Sequence, residues 1–262
     1  MKRTDPEAIA SMLRGTPLVI MLDIDGTLCE LVARADAAVV PEAVRAALVL
    51  LGERRSDGVH VALVTGRSVA DAQRMIGITG IAIHGNHGME RLLEDGTTRG
   101  PEGFEVEERR LRAAKADLAL LAAEFPGTSV EDKQFSLSVH YRGMKDELVP
   151  EFIRRVSQSV ERNDLRSSPG KCVINIVPMI SRNKGDAVLD IIQETGATSS
   201  TASILFVGDD VTDEDAFVAM QPIAAAVTVR VGESTTESAA RYSLSDPGAV
   251  QELLQTLADS SR

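Results

Sequence analysis

The sequence contains few cysteines, no long apolar run and no excess of positive charge. Its two cysteines, Cys29 and Cys172, lack the paired spacing of a zinc site, so we expect free thiols in a reducing compartment. No stretch of the chain reaches the length of a membrane span, and residues 1–15 contain no apolar segment typical of a signal peptide. We therefore expect a cytoplasmic protein with no membrane partner.

The charge of the chain is strongly negative. Its formal net charge of −11 argues against a general binder of nucleic acids or of anionic membranes. A phosphorylated substrate would need local cations, either a metal ion or Lys and Arg side chains. The 262 residues, without an internal repeat, suit one large domain or a core with a smaller insert, and we expect a monomer or a weak dimer.

Short apolar segments alternate with amphipathic ones in the first third of the chain. This alternation predicts an α/β fold in which helices cover both faces of a parallel sheet. The predicted strands are 18–21, 60–64 and 81–83, and the predicted helices are 41–55 and 69–76. Residues 90–103 are rich in charge and glycine, which indicates a hairpin or a connector.

The pattern changes between residues 103 and 178. Two amphipathic helices and two strands predict a small α+β layer there, with helices at 105–125 and 150–163 and strands at 135–142 and 171–177. The parallel pattern then resumes with helices at 184–194 and 213–220, a strand at 203–207 and a last strand at 225–231. We therefore predict a discontinuous core, residues 1–102 and 179–262, into which a domain of residues 103–178 is inserted.

Two aspartates stand directly after the first predicted strand. Asp23 and Asp25 are separated by one residue, Asp is disfavoured in strands, and two like charges repel unless a cation lies between them. A divalent cation would resolve this conflict and would leave one carboxylate as a nucleophile and the other as a proton donor. The alternative is that both aspartates only begin a turn.

Three further polar sites follow predicted core strands or begin a core helix. Thr65 follows the second predicted strand, Lys184 begins the helix after the insert, and Asp209 lies in the segment 208–213 after the next strand. Ligands of open α/β sheets bind beyond the carboxyl ends of the strands, so we expect these sites to converge. Taken singly, the threonine could cap a turn, the lysine could be solvated and the aspartates could cap a helix.

These residue types fit phosphoryl transfer to a carboxylate. Asp23 would be the nucleophile. Mg²⁺ held by Asp23 and Asp209 would neutralise negative charge so that the carboxylate of Asp23 can approach phosphorus. Thr65 would donate its hydroxyl and a backbone amide to a phosphoryl oxygen, and Lys184 would supply a point charge. Asp25 would protonate the leaving alcohol and then activate water.

The motifs at 23–27, 64–67, 184–185 and 208–217, in this order, resemble those of the haloacid dehalogenase-like superfamily. The resemblance implies a Rossmann-like parallel-sheet core and dependence on Mg²⁺. It also implies a phospho-aspartyl intermediate on Asp23.

The same resemblance implies a ligand set and a cap. The metal would be held by Asp23, by the backbone carbonyl of Asp25 and by Asp209, with Asp213 close by. Because the insert 103–178 lies between the second and third motifs, the resemblance implies a cap domain of the superfamily's C2 type.

A narrower resemblance covers most of the chain. Together with the long motif at 208–217, it is carried by residues 85–90, 131–133, 136, 140–142 and 170–173, which are similar to trehalose-6-phosphate phosphatases. In those enzymes a Glu and a Lys of the cap grip sugar hydroxyls, which implies that Glu131 and Lys133 do so here. Residues two apart share one face of a strand, where a carboxylate accepts and an ammonium donates hydrogen bonds. A surface ion pair is the alternative for both residues.

The chain departs from this family at Asn175, where a sugar-binding Glu is usual, and at Val177, where an Arg is common. Asn can accept one hydroxyl and donate to another, but it lacks the charge. We assign Asn175, Glu131, Lys133 and Arg67 to substrate binding. For Arg67 we expect loop packing and core–cap contacts rather than proton transfer.

We therefore expect an enzyme that hydrolyses trehalose 6-phosphate to trehalose and phosphate with Mg²⁺, and whose partner is a small sugar phosphate. Asn175 favours one rival, a related capped phosphatase acting on a sucrose, mannosylglycerate or glucosylglycerol precursor. Another rival is a phosphorylation-responsive receiver or a non-catalytic sugar-phosphate binder. Receivers also combine Asp, Thr and Lys around Mg²⁺, but they lack an acid/base at the spacing of Asp25 and a cap-sized insert.

Overall fold

The computed structural model describes most of the chain. The described residues are 2–32, 37–93, 95–100, 104–133, 135–170, 172–180, 182–198, 200–232 and 237–260. Five positions named above lie outside them, namely Lys171 of the motif 170–173 and the boundary residues Met1, Glu102, Gly103 and Arg262.

The described residues form thirteen strands and eight α-helices. In chain order they are β1 (Lys2–Arg3), α1 (Pro6–Met12), β2 (Leu18–Leu22), α2 (Glu42–Gly52), β3 (Val59–Val64), α3 (Val69–Ile76), β4 (Ala82–Gly85), β5 (Glu90–Leu92), β6 (Thr98–Arg99), α4 (Glu105–Glu124), β7 (Ser129–Asp132), β8 (Leu137–His140), α5 (Val149–Arg162), β9 (Leu165–Gly170), β10 (Val173–Pro178), α6 (Lys184–Glu194), β11 (Ser203–Gly208), α7 (Glu214–Met220), β12 (Ala226–Val231), β13 (Tyr242–Leu244) and α8 (Pro247–Asp259). None of these helices combines the length and the apolar character needed to cross a membrane.

Contacts between residues divide the chain into two compact units. The first unit contains Met1–Arg99 and Arg182–Arg262, and the second contains Gly100–Ser181. The role of residues 103–178 as a cap stays a prediction.

The first unit is built on a sheet of order β1-β13-β12-β11-β2-β3-β4-β5-β6 in its described residues. Its strands pair in parallel from β1 through to β4, whereas β5 and β6 are antiparallel additions at one edge. The predicted α/β fold with a parallel sheet is therefore confirmed.

The central strand β2 is buried on both faces. Ile20 and Leu22 pack with residues of α1, α2, α3 and α8, whereas Val19 and Met21 pack with residues of α6 and α7. A strand covered on both sides has no solvent face, which is why its sequence is a continuous apolar run.

The second unit contains an antiparallel sheet of order β7-β8-β10-β9. Helix α4 packs against β7, β8 and β10, and α5 packs against β9. Along β10 the buried Ile174 and Ile176 alternate with the partly exposed Asn175 and Val177, as expected for a sheet with one covered face.

The prediction of two strands in this region is wrong, because the described residues form four. The two missed strands, β7 and β9, are edge strands without an apolar alternation, and β9 contains Pro169. Their pairing with β8 and β10 makes them strands, and such pairing is not visible in a local pattern.

The prediction that 225–231 is the last strand is also wrong, since β13 and α8 follow it. Helix α8 begins with Asp246, whose side chain accepts a hydrogen bond from the backbone N–H of Ala249, and Pro247 occupies its first turn. These are ordinary signals of a helix start, so α8 was predictable from the sequence.

Candidate active site

The carboxyl ends of three neighbouring strands, β11, β2 and β3, position the predicted site residues. Asp23 follows β2 directly, and its backbone N–H donates to the carbonyl of Val207 on β11 at 2.9 Å. Thr65 follows β3, and its N–H donates to the carbonyl of His84 on β4, also at 2.9 Å. The ladder of the sheet thus extends to the first residue of each loop and fixes where the loops begin.

Three aspartates from two distant parts of the chain converge at this edge. One carboxylate oxygen each of Asp23, Asp209 and Asp213 lies within 4.8 Å of the others, and we call these residues the acidic cluster. The ammonium of Lys184 bridges two of them, with distances of 2.7 Å from Nζ to Oδ1 of Asp23 and to Oδ1 of Asp213. The structure therefore brings together residues that the sequence offers in three separate motifs.

Burial sets the charge state of this cluster. Burial raises the pKa of Asp23 to about 8, with the Lys184 ammonium opposing the shift and the Asp213 carboxylate adding to it. Burial, Asp213 and Asp210 together raise the pKa of Asp209 to about 6. For Lys184 burial acts to lower the pKa, but Asp23 and Asp213 outweigh it and the pKa is raised. Carboxylates in this environment favour a nearby cation.

The loop after β11 is folded around the carboxylate of Asp213. Its Oδ2 accepts the backbone N–H groups of Asp209 and Asp210, at 3.0 and 2.9 Å. A Cβ on Gly208 would lie 2.3 Å from Cγ of Asp213, so only glycine allows this turn. Because both oxygens of Asp213 already accept hydrogen bonds from the protein, its contacts orient the loop and the lysine.

The turn after β2 holds the carboxylate of Asp209. The hydroxyl of Thr27 donates to Oδ1 of Asp209 at 3.3 Å. Gly26 has a φ of +75°, and a Cβ there would lie 2.1 Å from Oδ2 of Asp209. Sequence reasoning missed this role of Thr27, although the Gly-Thr pair stands inside the first motif.

The acidic cluster fits a small divalent cation. Mg²⁺ prefers carboxylate oxygens as protein ligands, and the three side chains offer one such oxygen each at close range. With all groups ionised, three carboxylates and one ammonium leave an excess of two negative charges. A single divalent ion would neutralise that excess.

Asp25 is held by an arginine. Nε and Nη2 of Arg67 donate to the two carboxylate oxygens of Asp25, at 2.6 and 2.5 Å. The hydrogen bond to Asp25 raises the pKa of Arg67, against the effect of its burial. Such a two-bond arrangement fixes the orientation of both side chains. This partnership was not expected from the sequence, which placed Arg67 among the substrate-binding candidates.

The remaining substrate-binding candidates all lie in the second unit. Glu131 is on β7, and its Oε2 lies 2.9 Å from Nε2 of His140 and 3.8 Å from Nζ of Lys133. On β10, Oδ1 of Asn175 accepts a hydrogen bond of 2.9 Å from the hydroxyl of Ser138. Because Glu131 pairs with Ser138 and Ser138 with Asn175 in register, these three residues form one row across the sheet.

The two cysteines lie outside the acidic cluster, although the backbone carbonyl of Cys29 accepts the N–H of Gly26 in the turn after β2. Both are free thiols, and Cys29 is buried whereas Cys172 is half-buried. Burial, assisted by the Asp25 carboxylate, raises the pKa of Cys29 to about 11, so this thiol stays protonated and unreactive at neutral pH.

The model of a protein family described as trehalose-phosphatase matches residues 21–248. The chain belongs to the trehalose-phosphatase family. The match includes every residue of the acidic cluster, together with Asp25, Thr65 and Lys184.

Curated members of the trehalose-phosphatase family are similar along nearly the whole chain. This chain is 32% identical over 245 residues to a trehalose-phosphate phosphatase of Mycobacterium bovis, and the match covers 93% of this chain and 62% of the relative. It is 33% identical over 260 residues to one of Mycobacterium marinum, covering 97% of this chain and 66% of the relative. The chain thus spans about two thirds of the length of these relatives.

Solved structures of the family share the fold. The structure of Aspergillus fumigatus trehalose-6-phosphate phosphatase is similar with a TM-score of 0.67 at 23% identity, covering 100% of both chains. A protein described as related to trehalose-6-phosphate phosphatase is similar with a TM-score of 0.63 at 24% identity, covering 92% of this chain and 97% of that one. These similarities show that the chain shares the fold of these structures.

Proposed function

We propose that this chain is a Mg²⁺-dependent phosphatase that hydrolyses trehalose 6-phosphate to trehalose and phosphate. The observation that carries the proposal is the acidic cluster with its bridging Lys184, which lies at the carboxyl edge of the sheet in a member of the trehalose-phosphatase family. Asp25 and Thr65 begin neighbouring loops at the same edge.

In the first step a carboxylate oxygen of Asp23 attacks phosphorus and forms a phospho-aspartate. The bond between phosphorus and the sugar oxygen breaks, and that oxygen leaves as an alcohol with a proton from Asp25. Lys184 holds the attacking carboxylate through its 2.7 Å hydrogen bond and offsets negative charge near the phosphoryl group. The hydroxyl and backbone of Thr65 bind a phosphoryl oxygen.

In the second step water hydrolyses the phospho-aspartate. Asp25, now ionised, takes a proton from the water as its oxygen bonds to phosphorus, and the bond to Asp23 breaks to release phosphate. Asp23, Asp209 and the backbone carbonyl of Asp25, with Asp213 close by, would hold Mg²⁺, which would act as a Lewis acid and offset the negative charge of the phosphoryl oxygens. The two hydrogen bonds from Arg67 orient the ionised form of Asp25, which takes the proton from the water.

The sugar would be recognised by the second unit. Glu131 and Lys133 offer an acceptor and a donor for hydroxyls, and Asn175, in place of the family's usual Glu, lies in the same row of the sheet as Glu131. With the residues of the first unit binding phosphate, these groups would act as the substrate-specific cap.

The deciding experiment is the release of inorganic phosphate from trehalose 6-phosphate, with Mg²⁺ and with excess chelator. We expect turnover only with Mg²⁺, and we expect Asp23→Asn to abolish turnover while the circular dichroism spectrum stays unchanged. Substantial activity in Asp23→Asn would refute the nucleophile. A phospho-aspartate that accumulates without phosphate release would identify a receiver instead.

Asn175 supports one rival function, a phosphatase acting on another glycosyl phosphate. Since Oδ1 of Asn175 accepts the Ser138 hydroxyl, its NH₂ group is the part left to meet a ligand. A donor at this position suits an acceptor on the substrate, whereas a Glu would suit a hydroxyl donor. We expect trehalose 6-phosphate to rank among the best substrates by kcat/KM in a panel with sucrose, mannosylglycerate and glucosylglycerol phosphates, and a low rank would favour the rival.

A further inference from the structure

The loop that carries Thr65 and Arg67 is joined by its backbone to the segment after β4. The N–H of Asn86 donates to the carbonyl of Arg67 at 2.7 Å, and the N–H of His87 donates to the carbonyl of Thr65 at 3.0 Å. We call residues 65–67 the phosphate loop and residues 86–90 the support segment. Neither step of the proposed mechanism uses a side chain of the support segment.

The support segment holds an unfavourable backbone conformation. Asn86 and His87 have φ values of +46° and +56°, and two consecutive residues other than glycine are rare in the left-handed region. Strained conformations of this kind persist only where surrounding contacts enforce them. The contacts that hold Asn86 and His87 in this conformation therefore indicate its role.

Glu90 supplies these contacts. Its side chain is buried, with 5% exposure, and Oε1 accepts a 2.5 Å hydrogen bond from Nδ2 of Asn86. Oε2 accepts a 2.7 Å hydrogen bond from the backbone N–H of Val69, the first residue of α3. Among the described residues no cation pairs with Glu90, so two N–H donors from the support segment and from α3 satisfy a buried carboxylate.

The segments around the phosphate loop approach one another closely. A Cβ on Gly66 would lie 2.8 Å from Cε1 of His87, so the imidazole lies against the phosphate loop. A Cβ on Gly85 would lie 2.7 Å from the backbone N of Val69 and 2.9 Å from the carbonyl oxygen of Arg67. A shift of the support segment is therefore passed on to the phosphate loop.

We propose that Glu90 is a positioning residue of the active site, which acts through Asn86 and Val69 to hold Thr65 and Arg67. The support segment donates hydrogen bonds to both ends of the phosphate loop, at Thr65 and at Arg67. Arg67 in turn holds both carboxylate oxygens of Asp25. This inference rests on the proposed function of Thr65 and Asp25.

The test begins with Glu90→Gln, which keeps the shape of the side chain but replaces one acceptor oxygen with a donor NH₂ group. The new NH₂ group must face either the Val69 N–H or the Asn86 NH₂, so one hydrogen bond is lost to repulsion. We expect kcat to fall by about tenfold or more, with a smaller change in KM, because reacting groups tolerate little misplacement. Hydrogen exchange should become faster in residues 65–69 and 84–90.

A second substitution should restore the pairing with donor and acceptor exchanged. In the double variant Asn86→Asp with Glu90→Gln, the Asp accepts from the Gln NH₂ and the Gln oxygen accepts from Val69. Asn86→Asp alone places two carboxylates face to face and should lower kcat as well. We expect the double variant to recover most of kcat, which a general loss of stability would not allow.

Glu107→Gln is the matched control, because Glu107 is also a buried carboxylate that accepts from an arginine and a backbone N–H, those of Arg110 and Met179. It should lower the melting temperature without changing exchange in residues 65–69. The proposal is overturned if Glu90→Gln leaves that exchange unchanged, whatever the substrate. It is also overturned if exchange rises but kcat on trehalose 6-phosphate does not fall. If the wild type is inactive but Glu90→Gln still shows the faster exchange, the proposed function is contradicted, whereas the positioning of the phosphate loop by Glu90 is supported.

Discussion

At the scale of single residues, the site requires glycine where two loops approach closely. Gly26 and Gly77 both have positive φ, at +75° and +66°, but their surroundings differ. A Cβ on Gly26 would meet Oδ2 of Asp209 at 2.1 Å, whereas a Cβ on Gly77 would meet no atom within 4 Å. The two positions therefore separate the backbone cost of a substitution from its effect on the acidic cluster.

We expect Gly26→Ala to lower kcat/KM by about 100-fold or more, because Asp209 must move from its position beside Thr27. Gly77→Ala should lower stability by about 1–2 kcal/mol, the usual cost of the left-handed conformation, without lowering kcat/KM. Steady-state kinetics and urea unfolding of both variants test this. Equal kinetic losses in the two variants would mean that Asp209 does not depend on Gly26.

His84 gives the stability of the protein a specific pH dependence. Burial, with further contributions from Arg91 and Arg182, lowers the pKa of His84 to about 3 from 6.5. Below pH 6.5 the unfolded chain gains a proton that the folded protein does not, so the folded state loses stability as the pH falls towards 3. Above pH 6.5 both states are neutral at this residue and the effect disappears.

From pH 7 to pH 5 we expect His84 to remove about 2 kcal/mol from the free energy of unfolding. Urea unfolding at both pH values should show a smaller loss for His84→Gln than for wild type, by that amount. Other groups titrate in both proteins, and the comparison removes them. An identical pH dependence in the two proteins would show that His84 has the same pKa in the folded and the unfolded state.

At the scale of elements, helix α6 carries Lys184 as its first residue. The helix begins with reciprocal hydrogen bonds, since Oδ1 of Asn183 accepts the N–H of Asp186 and Oδ2 of Asp186 accepts the N–H of Asn183. Helix α8 also has a side-chain cap, in which Asp246 accepts the N–H of Ala249, but this bond is not reciprocated because Ala249 has no polar side chain. The lysine depends on the start of α6 for its position between two carboxylates.

Asn183→Ala and Asp246→Ala should each cost about 1 kcal/mol of stability, the typical value of a lost cap. Only Asn183→Ala should also lower kcat, because the first turn of α6 frays where Lys184 must hold Asp23 and Asp213. Thermal unfolding and kinetics, measured well below the melting temperature, separate the two effects. A similar kcat in both variants would show that Lys184 is held by its carboxylate partners alone.

Strands buried on both faces were predictable from the sequence, whereas strands that form only because a neighbouring strand pairs with them were not. Strands β2, β3 and β11 were expected because an apolar run has few alternatives in a parallel sheet. Strand β9, with the sequence LRSSPG, exists because β10 offers it a ladder. The local pattern of an edge strand does not report its neighbour.

The same distinction applies to the candidate site. The order of the motifs predicted that Asp23, Asp209 and Lys184 meet, because the carboxyl ends of parallel strands share one edge. The pairing of Arg67 with Asp25 depends on rotamers in two loops, which one sequence does not specify. The motif at 85–90 was noticed only by resemblance, since its contacts with the phosphate loop are made after folding.

At the scale of the whole molecule, the net charge of −11 surrounds a cluster that is itself negative. Such a field attracts Mg²⁺ over a distance set by the ionic strength, about 30 Å at 10 mM salt and about 3 Å at 1 M. Binding of a metal to the folded state raises its stability by RT ln(1 + c/Kd), where c is the free metal concentration, so a weaker affinity gives a smaller gain. Salt should therefore weaken the effect of a fixed Mg²⁺ concentration.

We expect Mg²⁺ to raise the melting temperature, and the rise to shrink as salt increases. Asp209→Asn should abolish the rise, whereas Asp210→Asn should keep it, because only the first of these neighbours belongs to the acidic cluster. Differential scanning calorimetry with Mg²⁺ and with chelator tests both statements. A rise that persists in Asp209→Asn would place the metal elsewhere.

The order of the sheet also has a consequence during synthesis on the ribosome. Strand β11 lies between β12 and β2, and it is separated from β2 by the whole of the second unit in sequence. Domains generally fold as they emerge, so the continuous second unit can close while β2 still presents an open edge. A nascent chain paused before residue 203 is for that reason the form most in need of a chaperone.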